Sequence, residues 1–151
     1  MLSLIEFKQQ ISNFTTTEQI ANFIRTFDVS ASNTTENSTS VFYTKSIDGD
    51  VNNPIWQIAN TIQAEGNGAY KVLNNSTDAA FYLNDQNGYR LAILDTLKEI
   101  TGIDDQNILN NQFFNGRVED GVYRQGYWDI VSEKMAQEAK GNVIALVPFS
   151  G

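Results

Sequence analysis

The sequence predicts an α/β fold, and three observations predict it. Two amphipathic helical stretches open the chain, strand-like and helical patterns then alternate, and the continuous apolar run "NVIALVPF" comes near the end. Alternation of this kind builds layered folds in which helices cover a sheet. A strand that is apolar at every position belongs in a sheet buried on both faces, usually a parallel one. The expected architecture is therefore one domain over 1–151. An N-terminal helical pair at 1–28 packs on a small, largely parallel sheet with flanking helices, and the α/β portion spans 40–151.

Leu4, Phe7, Ile11 and Phe14 recur at three- and four-residue spacing, which places them on one helical face. In "TTTEQIANFIRTF", Thr15 or Thr16 is the expected cap with Glu18 as its partner, and Ile20, Phe23, Ile24 and Phe27 form the apolar face. Residues 30–40 are small and polar and read as a surface loop. "VFYTKS" is strand-like, and Pro54 suits the first turn of a helix carrying Ile55, Ile58, Ala59 and Ile62 on one face. "AYKVL" is the next strand, followed by the cluster Asn75, Ser76, Thr77 and Asp78 ahead of a helix start. "GYRLAILDTLKEITG" gives a helix with Leu91, Leu94, Leu97 and Lys98 in its body and Gly102 past its end. Residues 103–126 hold many Asn, Gln and Gly and are expected to form short helices and a long irregular connection. In the last helix Trp128, Val131, Met135 and Ala139 share one face, and Ser132 stacks one turn above Trp128.

Composition narrows the chemistry. Ten basic residues stand against eighteen acidic ones, a net charge of -8 without a basic cluster, and such a surface repels phosphate backbones. No nucleic-acid partner is expected, although a few local donors can hold a small anion. The absence of His and Cys removes thiolate chemistry, Ser-His-Asp catalysis and zinc sites built from nitrogen or sulfur ligands. Glu6 and Lys8 interrupt the start where a signal peptide would be apolar, and no run approaches the ~18 apolar residues of a membrane span. No membrane partner and no metal are expected.

Several small patterns have simpler readings. Ser38, Thr39 and Ser40 with Arg25 upstream resemble a mono-ADP-ribosyltransferase motif, but no E-x-E pair exists to complete it. Asp48 to Asp50 could suggest calcium, yet the loop lacks the terminal bidentate glutamate, so a solvated turn is expected. The polar cluster at 75–78 is well placed either to cap a helix or to meet a ligand at a strand's end.

Three blocks in order, "SVFYTKS" with "WQIA", "VLNNSTDAAFYL" and "YWDIVSEKMAQEAKGNVIALV", together resemble the ADP-ribosyl cyclase and NAD glycohydrolase family. That family includes toxin domains of bacterial contact-dependent inhibition systems. The resemblance runs from about Ser40 to Val147, apart from residues 103–124, and it implies an ADP-ribosyl-cyclase-like fold. On this resemblance Tyr43 and Trp128 flank nicotinamide, and Thr44, Lys45 and Ser132 hold the phosphates and ribose. Thr77 joins them on the substrate-binding side. Asn75 falls where the family has a glutamate, and Asp78 stands three residues away.

The resemblance implies cleavage of the nicotinamide–ribose bond, with NAD as substrate and no further cofactor. A cognate immunity protein would be the partner, and the place of action a cytoplasm, the chain's own or that of a target cell reached as part of a larger toxin. The family's late-strand glutamate, which opposes the developing ribosyl cation, would lie beyond Gly151. Losing such a carboxylate lowers the rate on the order of a hundredfold or more. A domain that binds NAD or a cyclic ADP-ribose-type nucleotide without turnover therefore stands beside the enzyme. From a third class stands a protein-interaction domain whose acidic surface suits a basic partner.

Overall fold

The structure is a computed structural model that describes residues 1–30, 39–43, 70–72, 77–138 and 142–146, with side chains described for 1–30 and 77–138. Outside the described residues lie most of the expected 30–40 loop, Asp48 to Asp50, the Pro54 helix and Ala139.

Helix α1, Leu4–Ile11, opens on a reciprocal cap: Ser3 Oγ accepts from the Glu6 N–H at 3.2 Å, and Glu6 Oε1 accepts from the Ser3 N–H at 3.3 Å. Those two bonds hold the Glu6 carboxyl below the usual glutamate range. Helix α2, Thr17–Arg25, uses the same device with Thr16 as cap. Its partner is Gln19 rather than the expected Glu18, because a box closes on the third helical residue; Glu18 instead sits 3.4 Å from Arg25. The two helices meet through rings, with Phe7 5.4 Å and Phe14 5.7 Å from Phe23.

Beyond α2 come α3, Asp78–Leu83, α4, Tyr89–Thr101, and α5, Gln106–Leu109, which runs into a π-helical turn, Asn110–Phe114. α6, Tyr127–Glu138, is the last of six α-helices among the described residues. Helix α1 docks on α4, and α2 docks on α6 and α4, so the described packing of the N-terminal pair is onto helices where a sheet was expected. One aromatic cluster joins them: the Phe7 ring lies 5.1 Å from both Tyr82 and Tyr89, and Phe27 lies 4.7 Å from Tyr82. Those two tyrosines also fasten the chain's start, since Tyr82 Oη accepts from the Leu2 N–H at 2.5 Å and Tyr89 Oη donates to the Leu2 carbonyl at 2.8 Å. In α4 the buried residues are Tyr89, Ala92, Ile93, Leu94 and Leu97; of the leucines expected in its body, Leu94 and Leu97 are buried and Leu91 is 49% exposed.

Strands β1, Thr39–Tyr43, β2, Tyr70–Val72, and β5, Asn142–Leu146, pair side by side with β1 central and parallel to both neighbours. β1 thus begins two residues earlier than the expected "VFYTKS" strand. The fold is mixed α/β, as expected.

The stretch 103–126 holds the expected short helical pieces, α5 and the π-helical turn, but departs from expectation where a long irregular connection was to follow. It contains a β-hairpin, β3 Arg117–Glu119 and β4 Val122–Arg124, in antiparallel register. Asp120 and Gly121, with φ of 52° and 76°, supply the two left-handed residues that a tight hairpin turn needs. Gly126 follows the hairpin, and a Cβ there would run into the backbone of Phe114, Asn115 and Gly116.

Candidate functional site

Helix α6 carries the best-described part of the expected site. Its buried residues are Tyr127, Ile130, Val131 and Met135, so the stripe that faces the core passes beside Trp128 rather than through it. Trp128 is partly buried at the edge of the core, and Ser132 is partly exposed one turn later. At about 100° per residue the two side chains leave the helix roughly 40° apart, on the same side.

Thr77 and Asp78 lie on the neighbouring element, because α3 packs against α6. Thr77 is the cap of α3: its Oγ1 accepts from the Ala80 N–H at 3.0 Å, and the residue is buried. Capping and ligand contact were alternatives in the sequence, and the observed geometry includes the cap. Asp78 is the first helical residue, and its carboxylate lies 3.9 Å from the Met1 α-amino group. The α3 start is further tied to the end of α2 by the Ala79 N–H, which donates to the Asp28 carbonyl at 3.0 Å.

Tyr43 is the last residue of β1, in register with Leu146, the last residue of β5. Its side chain, and all of Thr44, Lys45 and Asn75, lie outside the described residues. The structure therefore brings Thr77 and Asp78 into the neighbourhood of the helix that carries Trp128 and Ser132, and fixes Tyr43 by backbone register alone.

Two groups at the start of α6 had no signal in the sequence. Tyr123 of β4 donates its hydroxyl to Asp129 Oδ2, which also accepts from the Gly126 N–H at 2.8 Å, so one carboxylate latches the hairpin onto the first helical turn. That hydrogen bond pushes the Tyr123 phenol up to about 12. Tyr127 is the second: its ring lies 5.1 Å from Phe114 and 6.4 Å from Phe113, and among the described residues its buried hydroxyl has no partner. Burial pushes this phenol well above the usual tyrosine range. Two guanidinium groups stack on the same phenyl pair, Arg90 at 4.3 Å from the Phe114 ring and Arg117 at 4.8 Å from the Phe113 ring. Pairwise contacts across a hairpin and a π-turn leave no periodic trace in a sequence, so these partners could not be read there.

A groove of about 450 Å³ runs between α6 and the end of α2, floored by Ile130 and edged by Arg25, Gln125, Glu133 and Gln137. Lys134 crosses it to donate to the Arg25 carbonyl at 2.9 Å and the Phe27 carbonyl at 2.6 Å, placing a cation at the negative end of α2. By helical geometry this groove lies about 180° around α6 from the Trp128 and Ser132 side. It is a separate feature from the expected nucleotide site. No family model, curated protein or solved structure matches the chain.

Proposed function

We propose that the chain is an NAD-processing domain of the glycohydrolase or cyclase type, in which Tyr43 and Trp128 grip the nicotinamide ring. The observation that carries this reading is the pairing of Trp128 with Ser132 on one side of α6, a helix against which α3, the helix that starts at Thr77 and Asp78, also packs. A stacking ring has to be held firmly and still present a face, and partial burial at a core's edge meets both needs. A cationic pyridinium over an indole gains both stacking and cation–π attraction.

Chain length supports bringing Tyr43 to the same place. Only residues 139–141 separate α6 from β5, and a twelve-residue helix of about 18 Å matches a five-residue strand of about 17 Å. A helix that folds back along β5 carries Trp128 to the level of Leu146, the register partner of Tyr43. Ligands of open α/β sheets collect at that carboxyl edge of the strands. The cyclase-like arrangement and the toxin assignment rest on the resemblance of the three sequence blocks.

Non-cleaving binding of NAD is the second reading. Asn75 cannot oppose a ribosyl cation, and Asp78, the nearest acidic residue of that block, is engaged by the Met1 α-amino group. Nicotinamide release separates the two: an enzyme releases it stoichiometrically with NAD loss, and a binder leaves NAD intact. If purified protein neither consumes NAD nor binds it, both readings fail.

A further inference from the structure

The hairpin offers an edge that suits a second copy of this chain. Among the described residues β3 pairs only with β4, and Val118 at its centre is 72% exposed. In the register Glu119↔Val122 closes the two-residue turn as a hydrogen-bonded pair. Hydrogen-bonded and open pairs alternate along an antiparallel ladder, so Val118↔Tyr123 is an open pair and the Val118 N–H and C=O point out of the hairpin. An outward donor and acceptor on one exposed residue form a template for another strand.

We propose that two copies associate through β3, antiparallel about a two-fold axis at Val118. The side-chain sequence Arg117-Val118-Glu119 is complementary to itself in that arrangement. Val118 meets Val118 of the second copy with two reciprocal backbone hydrogen bonds. Arg117 lies opposite Glu119 of the second copy, and Glu119 lies opposite its Arg117. Within one chain these residues already face each other, with Arg117 Nε 3.2 Å from Glu119 Oε2, so pairing builds a four-charge ring of alternating sign on one face of the joined sheet. The β4 edge has no such match, since self-pairing about Tyr123 sets Val122 against Arg124. Two Arg and two Glu make the seam locally neutral although each chain carries a net charge of -8, and the long-range repulsion fades beyond about 8 Å at physiological salt.

A short two-strand seam sits at the weak end of protein interfaces, so association is sought by sedimentation equilibrium up to about 1 mM protein in about 0.15 M salt. The wild type forms a dimer in that range. Arg117→Glu and Glu119→Arg, each alone, set like charges opposite each other and weaken self-association about tenfold or more. An equimolar mixture of the two variants sets an all-acidic edge against an all-basic one and regains wild-type association. Val118→Pro removes the outward N–H, which the hairpin does not use, and abolishes the dimer with the monomer fold retained in its far-UV spectrum. A wild type that stays monomeric, a variant mixture that associates no better than its components, or a folded Val118→Pro that still dimerises overturns the proposal.

Discussion

Tyr127 buries its ring against two phenylalanines, and its buried hydroxyl has no partner among the described residues. Removing an unpaired buried hydroxyl while keeping the ring relieves a desolvation penalty of about 1 kcal/mol. Tyr127→Phe is expected to raise the midpoint of thermal unfolding, and a fall would mean that the hydroxyl is bonded. Phe7, fully buried among four rings, behaves oppositely: Phe7→Ala should destabilise by about 3–5 kcal/mol in urea unfolding. The same scale shows where residue reading stopped. Trp128 with Val131 and Met135 fits a helical face, and so does Tyr127 with Ile130, Val131 and Met135. The two stripes share Val131 and Met135 and differ by about 60° of rotation, and only the position of the remaining core decides between them. Thr77 was legible as a candidate cap because a threonine before a short apolar run satisfies orphan helix donors.

Among the elements, the helices were legible because periodic burial and capping are local properties. Thr16 illustrates this: Thr16→Ala should destabilise by about 1 kcal/mol through loss of the reciprocal cap. The hairpin was not legible, since three-residue strands are too short to show alternation and only Asp120-Gly121 marks the turn. Its docking depends on Gly126, whose missing side chain lets the start of α6 lie against the backbone of Phe114 to Gly116. Gly126→Ala forces that backbone apart and is expected to cost about 2 kcal/mol or more, with the loss concentrated in amide protection of β3 and β4 measured by hydrogen exchange. Unchanged protection in that variant would show that the approach is slack.

For the whole molecule, the raised tyrosines set a limit at high pH. Burial raises the Tyr82 and Tyr127 phenols, and the bond to Asp129 raises Tyr123 to about 12 from 10.0. Below pH 10 these groups are protonated in both folded and unfolded chains, and their contribution is complete. Above it the unfolded chain releases protons that the folded chain retains, so stability falls as pH rises from about 10 through about 12. Urea midpoints should drop between about pH 9 and about pH 11, and a flat profile would contradict the burial of Tyr82 and Tyr127 and the Tyr123–Asp129 bond.

The mixed α/β class was legible because helical and strand periods alternate along the chain. The candidate site was legible only in part: Trp128, Ser132, Thr77 and Asp78 fall on two packed helices, while Tyr43 is anchored by strand register and Thr44, Lys45 and Asn75 lie outside the described residues. Calorimetric titration of NAD into the wild type and into folded Trp128→Ala tests the proposed grip most directly. Saturable binding that weakens roughly tenfold or more on loss of the indole is the expected result. No heat from the wild type, or equal affinity in the two proteins, would contradict it.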